Sequence, residues 1–283
     1  MKKVRIVGVP EHFNLPWLFA LEEGAFADRG IELQWTNVPE GSGKMNQMLC
    51  EDDTDLAIIL TEGIVKGIAA GNPSNIVQQY VESPLLWGIH VSAASSFMDL
   101  KDLKEKKAAI SRFGSGSHLM SYVFAESMGW DIDSLDFHIV HTLEGAVDAL
   151  TTAKADYFMW ERFTTKPLVD QGVFRRLGDC PTPWPCFVIA ARREFIKSEP
   201  ALLQHILEII NLYTAEFREI PSIDRTLANR YDQNLSDIQE WLGITRWSQS
   251  QIKVQVIDKV ILKLYNLKLI ENRINGAEIL TSL

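Results

Sequence analysis

Five consecutive residues, Gly114 to His118, alternate glycine with serine and end in a histidine. The run follows an apolar segment typical of a strand and precedes a segment typical of a helix. Glycine lets the backbone approach a ligand closely, and Ser115 or Ser117 can cap the helix. Unpaired N–H groups at a helix N-terminus favour an anion. An ordinary capped helix start is the alternative to the predicted anion site, whose ligand-binding residues would be Ser115, Gly116, Ser117 and His118.

Three further turns leave predicted strands and carry polar side chains. In the first turn, His12 and Asn14 are of the right type to hydrogen-bond a polar ligand group. In the second turn, Ser42 stands between two glycines, where it either caps a helix or contacts a ligand. In the third turn, Thr61 directly follows an apolar strand and has the same two alternatives. These four side chains are predicted ligand contacts.

Two aromatic positions complete the predicted site. Trp160 and Glu161 end a predicted strand, and an acid there either binds a cationic or amine-bearing ligand or pairs with Arg162. Trp184 lies in a segment that three prolines make stiff, namely Pro181, Pro183 and Pro185. Trp184 is therefore either an aromatic lid over a ligand or part of a structural hinge.

The sequence carries no pattern for a metal ion or a catalytic nucleophile. His138 and His141 are three residues apart, but a strand would direct them to opposite faces. No G-x-S-x-G elbow occurs, and the glycine-serine turn lacks the lysine of a phosphate-binding Walker loop. The three cysteines, Cys50, Cys180 and Cys186, predict free buried thiols. We expect no metal, no cofactor and no catalytic residue.

Composition places the chain among folded globular proteins. Of 283 residues 46% are hydrophobic, which is ample for a packed core. The net charge of -9 argues against a nucleic-acid partner, and no apolar run approaches the length of a membrane span. The first residues lack the long apolar core of a secretory signal, which predicts a cytoplasmic location, or a periplasmic one if a signal was removed. The sequence is compatible with a homodimer.

Strand and helix patterns alternate twice along the chain and give way to helices after Pro200. This order predicts an α/β fold with mostly parallel sheets. Two apolar crossings, near Trp87–His90 and Phe187–Ala191, suggest that the second α/β unit is inserted into the first. We predict domain 1 at residues 1–87 and 192–283, with the C-terminal helices packed on it, and domain 2 at residues 88–191. A cleft between them would be the ligand site.

Three stretches in this order carry a family resemblance. The first runs from Gly8 to Leu33, the second from Ala108 to His118, and the third from Ala146 to Glu161, with a closing helix after Phe195. Together they resemble the type II periplasmic-binding-protein superfamily. The most similar branch holds the sulfonate, taurine and nitrate binding proteins and the thiamine-pyrimidine precursor synthases. Within the superfamily the chain looks most like a signal-less branch.

The resemblance implies a two-domain fold and a function like that of the substrate-binding proteins of ABC transporters. The expected ligand is a small polar organic metabolite, anionic or zwitterionic, held by hinge closure of the two domains. An enzyme acting on a thiamine-precursor-like metabolite is one alternative. The lysine and histidine that the synthases use after the third strand are absent from Leu60–Gly63, so neither pyrimidine synthesis nor pyridoxal phosphate is expected.

A cytoplasmic interaction protein is the second alternative. Four large apolar side chains in the C-terminal helices either form a partner face or pack in the core: Trp241, Trp247, Ile257 and Ile261. Core packing is the preferred interpretation.

Overall fold

The computed structural model describes residues 1–282 and divides the chain into two compact units. Unit 1 comprises Met1–Ser83 and Trp184–Leu283, and unit 2 comprises Pro84–Pro183. Unit 2 is therefore inserted into unit 1 along the chain, as predicted, but both boundaries lie a few residues earlier than the sequence suggested. The strand Phe187–Arg192, assigned to domain 2 from the sequence, lies in unit 1 because its apolar residues pair with strands of that unit.

Within residues 1–282, ten strands form two five-stranded sheets. They are β1 (Lys2–Gly8), β2 (Ile31–Asn37), β3 (Leu56–Leu60), β4 (Ser74–Val81), β5 (Leu86–Ser92), β6 (Ala108–Ile110), β7 (Phe137–Ile139), β8 (Tyr157–Glu161), β9 (Phe174–Pro181) and β10 (Phe187–Arg192).

In the part of the chain that the structure describes, eleven α-helices cover the sheets or follow them along the chain. They are α1 (Leu15–Glu22), α2 (Ser42–Cys50), α3 (Thr61–Ala69), α4 (Gly116–Ser127), α5 (Leu143–Thr151), α6 (Lys166–Asp170), α7 (Arg193–Ser198), α8 (Pro200–Glu216), α9 (Ile223–Tyr231), α10 (Leu235–Ile244) and α11 (Val254–Asn266). Helix α1 ends at Glu22, because the chain turns at Glu23–Phe26, and Ala27–Arg29 then forms a 3-10 turn.

In unit 1 the strand order is β2-β1-β3-β10-β4. Strands β2, β1 and β3 are parallel, so their carboxyl ends lie at one edge of the sheet. Strand β10 runs antiparallel to both of its neighbours. Helix α8 packs on α1, and α11 packs on α3, so the C-terminal helices pack on unit 1 as predicted.

In unit 2 the strand order is β7-β6-β8-β5-β9. Strands β7, β6 and β8 are parallel, while β5 is antiparallel to β8 and β9. The expectation of mostly parallel sheets is thus correct for three adjacent strands in each unit and wrong for β5 and β10. Both exceptions are the first strand after the chain crosses from one unit to the other.

The side chains considered for a partner face belong to the core of unit 1. Trp241, Trp247, Ile257 and Ile261 are all buried. Among the three free cysteines, Cys180 and Cys186 are buried as predicted, whereas Cys50 is exposed because it ends α2 on the outer side of that helix. Across residues 1–282, the structure has no helix with the length and apolar character needed to span a membrane.

Candidate functional site

The turn between β6 and α4 has the capped geometry that its sequence predicted. Ser115 is the N-cap of α4, and its Oγ accepts a hydrogen bond from the backbone N–H of His118 at 3.3 Å. The first N–H groups of a helix have no partner within the helix. Because Ser115 already accepts the hydrogen bond of the His118 amide, the amides of Gly116 and Ser117 are the donors of the first turn that remain for a ligand.

Ser117 stabilises this turn from inside. Its Oγ accepts a hydrogen bond from the backbone N–H of Ser111 at 3.0 Å and lies 3.0 Å from Oγ of Ser115. The Ser117 side chain is 1% exposed. The hydroxyl of Ser117 is therefore engaged by the turn, and the backbone of Ser117, more than its side chain, is placed to contact a ligand.

His118 is fixed by the same turn. Its Nδ1 accepts a hydrogen bond from the backbone N–H of Gly114 at 3.0 Å. Its ring packs edge-on against Phe113, Tyr122 and Phe137, with centroid distances of 4.8 to 5.3 Å. His118 thus holds the loop against an aromatic cluster, in which Phe113 is 63% exposed.

Trp87 adjoins the start of α4 and was not singled out from the sequence. A Cβ atom at position 116 would lie only 2.7 Å from Cη2 of Trp87, so only glycine fits there. Trp87 is 5% exposed, and its indole N–H has no acceptor among residues 1–282. The pairing of β5 with β8 places Trp87 opposite Glu161, a register that no local sequence pattern reveals.

Glu161 lies on the same side of the sheet as Trp87, but its carboxylate is occupied locally. Oε2 of Glu161 accepts hydrogen bonds from the backbone N–H and the hydroxyl of Thr164, at 2.6 and 2.7 Å. Burial raises the pKa of Glu161, and the bonds from Thr164 and the charge of Arg162 oppose this. The carboxylate therefore organises the loop after β8.

Trp160 is not brought together with Glu161. Consecutive residues of a strand point to opposite faces, and the ring of Trp160 stacks on that of Phe158 at 5.4 Å. It packs against the apolar cluster around Ala146 and Leu150. The structure thus places Trp160 in the packing of the other face, with its ring also 6.3 Å from that of Trp87, and its contact with a ligand stays a prediction.

In unit 1 the predicted residues Asn14, Ser42 and Thr61 follow β1, β2 and β3, three adjacent parallel strands. Asn14 is 1% exposed, and its Nδ2 donates a hydrogen bond to the carbonyl of Val9 at 2.8 Å. Gly41, and not Ser42, is the N-cap of α2, so the expected cap role of Ser42 is wrong. The side-chain oxygens Oδ1 of Asn14 and Oγ of Ser42 are buried and have no hydrogen-bond partner within residues 1–282.

Thr61 and Trp184 are held by contacts within unit 1. The hydroxyl of Thr61 donates a hydrogen bond to the carbonyl of Pro185 at 2.6 Å, which ties α3 to the proline-rich segment. Trp184 is 4% exposed, and its Nε1 donates to Oε2 of Glu62 at 2.7 Å. This buried indole is fixed within unit 1, which is compatible with the structural alternative, and its role as a lid over a ligand stays a prediction.

Glu62 directly follows Thr61 and was not among the ligand contacts predicted from the sequence. It is 3% exposed, and its Oε1 has no hydrogen-bond partner within residues 1–282. Burial raises the pKa of Glu62 from its usual 4.5 to about 7, and hydrogen bonds from its own backbone amide and from Trp184 oppose this shift only in part. Glu62 is therefore a buried acid that titrates near neutral pH.

His12 lies in an aromatic cluster of unit 1. Its ring is stacked on Phe13 at 5.2 Å and meets Trp241 edge-on at 4.2 Å. Burial lowers the pKa of His12 to about 3, so the ring is neutral at physiological pH. The predicted contact of His12 with a polar ligand group gains no support from this placement, because the ring is 2% exposed.

Comparison with known proteins identifies the fold. A family model described as Ca3427-like PBP matches residues 87–180, which lie in unit 2. No curated protein sequence matches the chain. Among solved structures, the conserved Candida albicans CA3427 gene product, described as having the generic periplasmic binding protein fold, is 24% identical with a TM-score of 0.88. That match covers 99% of this chain and 96% of the other.

Two sulfonate-binding proteins share the same architecture. The alkanesulfonate-binding protein SsuA from Xanthomonas axonopodis pv. citri, bound to MOPS, is 16% identical with a TM-score of 0.84, covering 100% of this chain and 99% of that one. The periplasmic aliphatic sulphonate binding protein SsuA from Escherichia coli is 18% identical with a TM-score of 0.77, covering 99% and 97%. The chain therefore has the periplasmic-binding-protein fold, as the resemblance implied.

Proposed function

We propose that the protein binds a small organic anion of the sulfonate or carboxylate class, and that the anionic group lies at the N-terminus of α4. The observation that carries the proposal is the buried indole N–H of Trp87, which has no acceptor in the described part of the chain and adjoins Gly116. Leaving a buried donor unpaired costs about 1–3 kcal/mol. An anionic oxygen of a ligand removes that cost.

The start of α4 favours a negative charge over a neutral or positive group. The aligned peptide dipoles place roughly half a positive charge at a helix N-terminus, and the amides of Gly116 and Ser117 point outward there. A sulfonate offers three oxygens and a carboxylate two, which suits two amides and one indole N–H. Inorganic anions carry the same acceptor oxygens. Contacts of the protein with the apolar part of an organic anion therefore distinguish that ligand from an inorganic one.

The names of the two SsuA proteins support this ligand class, since both are described as sulfonate-binding. Their shared fold also supports the finer part of the proposal, in which the ligand occupies a cleft and the two units close on it by a hinge. In this mechanism, ligand shifts the population toward the closed state by its higher affinity for that state.

The proposal is tested by calorimetric titration of the purified protein with propane-1-sulfonate, propionate, inorganic sulfate and propylamine. We expect binding of an organic anion and none of propylamine. Trp87→Phe keeps the ring and removes the donor, so it should weaken anion binding about tenfold or more, the value of a hydrogen bond to a charged group. The matched control is Trp130→Phe, a half-buried tryptophan of unit 2 that packs on Phe124.

The control variant should retain the affinity of the unchanged protein. Equal affinity of the Trp87→Phe variant and the unchanged protein for the anion would contradict the role of the indole. Absence of binding to every anion would contradict the proposed function itself.

A further inference from the structure

An exposed aromatic side chain lies at the corner of the turn that precedes α4. The carbonyl of Arg112 accepts a hydrogen bond from the backbone N–H of Ser115 at 3.1 Å, which closes a four-residue turn. Phe113 and Gly114 are the two central residues, and Gly114 has a φ of +75°, which glycine adopts without strain. The turn therefore fixes the backbone of Phe113 at its outer corner, where the residue is 63% exposed.

The ring of Phe113 is also held from the side. It meets the ring of His118 at 5.3 Å and that of Phe137 at 6.2 Å, in both cases nearly perpendicular. His118 is itself tied to the turn, because its Nδ1 accepts the hydrogen bond of the Gly114 amide. A ring that is exposed and already held in one orientation can contact a ligand at a small further cost in side-chain entropy.

Two aromatic residues of unit 2 lie on opposite sides of the first turn of α4. Trp87 adjoins Gly116, and Phe113 contacts His118. Each residue of a helix is rotated by about 100° from the one before it, so positions 116 and 118 are about 200° apart around the axis. The amides of Gly116 and Ser117, which are the proposed donors to the anion, therefore have an aromatic side chain on either side.

Only one of these two sides has room for the carbon part of a ligand. On the side of Trp87, even a single Cβ atom at position 116 would lie 2.7 Å from Cη2 of the indole. On the other side, most of the Phe113 ring is open. An organic anion whose oxygens meet the first amides of α4 therefore extends its carbon atoms toward Phe113.

On the basis of the proposed anion-binding function, we propose that Phe113 contacts the apolar part of the ligand and thereby selects organic anions that carry an aromatic ring. Two aromatic rings attract each other in offset or edge-on geometry, in addition to the effect of the apolar area that they remove from water. A short aliphatic chain covers less of the Phe113 ring, and an inorganic anion has no carbon atoms to place there.

The test compares two ligand pairs that differ only by a phenyl group. Affinities of 3-phenylpropane-1-sulfonate and propane-1-sulfonate, and of 3-phenylpropionate and propionate, are measured by calorimetry. We expect the phenyl form of at least one pair to bind the unchanged protein about tenfold tighter, and this ratio to fall to about one or two in Phe113→Ala. A merely structural role of Phe113 would weaken both members of a pair equally and leave the ratio unchanged.

The matched control is Met98→Ala, which removes another exposed apolar side chain of unit 2. Met98 follows β5, which is antiparallel to β8, whereas α4 follows β6, which is parallel to β8. Met98 therefore lies toward the opposite edge of the sheet from the start of α4, and its removal should leave the ratio at about tenfold.

The possible results separate this inference from the proposed function. Plain anions that bind the unchanged protein as tightly as their phenyl forms would overturn the inference and leave the proposed function standing. Failure of all four ligands to bind would overturn both. A phenyl preference that persists in a folded Phe113→Ala variant, or that is lost equally in Met98→Ala, would overturn the assignment to Phe113.

Discussion

Glu62 gives the unliganded protein a dependence of stability on pH that one substitution removes. Burial raises the pKa of its carboxyl from 4.5 to about 7, so between these values the folded state binds a proton that the unfolded state has released. The free energy of unfolding contributed by Glu62 is therefore fully present below about pH 4.5 and is lost as the pH rises toward 7. Glu62→Gln, which cannot ionise, abolishes this loss.

The magnitude follows from the shift. One pKa unit corresponds to about 1.4 kcal/mol, so a shift from 4.5 to about 7 corresponds to about 3 kcal/mol of unfolding free energy. At pH 5 about 1 kcal/mol of this has already been lost, because the unfolded state is mostly ionised there. Relative to the unchanged protein, Glu62→Gln should therefore gain about 2–3 kcal/mol between pH 5 and pH 8.

The assay is urea unfolding at both pH values without ligand, followed by far-UV circular dichroism and tryptophan fluorescence. If the two units unfold in separate transitions, the effect belongs to unit 1, which contains Glu62. Subtracting the stability of Glu62→Gln from that of the unchanged protein removes the contributions of all other titrating groups. A difference that stays constant from pH 5 to pH 8 would refute the reasoning.

Two further expectations concern other buried groups. His90 in unit 2 is buried, and its Nε2 lies 2.9 Å from the hydroxyl of Thr165. Burial lowers the pKa of His90 to about 4. Between about pH 6.5 and 4 the unfolded state therefore binds a proton that the folded state does not bind, and the stability of unit 2 falls as the pH decreases through this range. His90→Gln should flatten this loss of about 3 kcal/mol in the urea transition of unit 2, and an unchanged acid slope would contradict it. In unit 1, Trp184→Phe removes the donor to Glu62 and should destabilise the protein by about 1–3 kcal/mol at pH 8, measured in the same way. Equal stability of this variant and the unchanged protein would show that the bond contributes nothing.

Local patterns predicted most of the fold. Strand β5 lies at Leu86–Ser92, where the sequence predicted an apolar crossing near Trp87–His90, because a segment rich in apolar residues that is followed by small polar residues favours a strand. Helix α4 begins within the predicted glycine-serine turn, since the cap depends on residues three positions apart. The direction of β5 and β10 was not predictable in this way, because it depends on the strands with which they pair.

The candidate site was predictable only where its geometry is local. The turn at Ser115 was found because cap, glycine and helix follow one another in the sequence. Trp87 was missed, since it joins that turn through the pairing of β5 with β8, more than 70 positions apart. In the sequence, Trp87 is only a large aromatic residue within an apolar strand. Such a residue is more often part of the core than a ligand contact.

Glu62 and Glu161 show why the other features of the candidate site could be found only in the structure. Each is an acid next to the carboxyl end of a strand, and the sequence favoured Glu161 for a cationic group. Glu161 is satisfied by Thr164, three residues along the chain, whereas Glu62 depends on Trp184, which is 122 positions away. The hydrogen-bond partners of a buried carboxylate are therefore seen only in the structure, and for Glu62 long-range packing supplies one of them. The expected binding of a cationic group at Glu161 therefore gains no support, because Thr164 occupies Oε2 of that carboxylate, whereas the proposed preference for an anion rests on the start of α4.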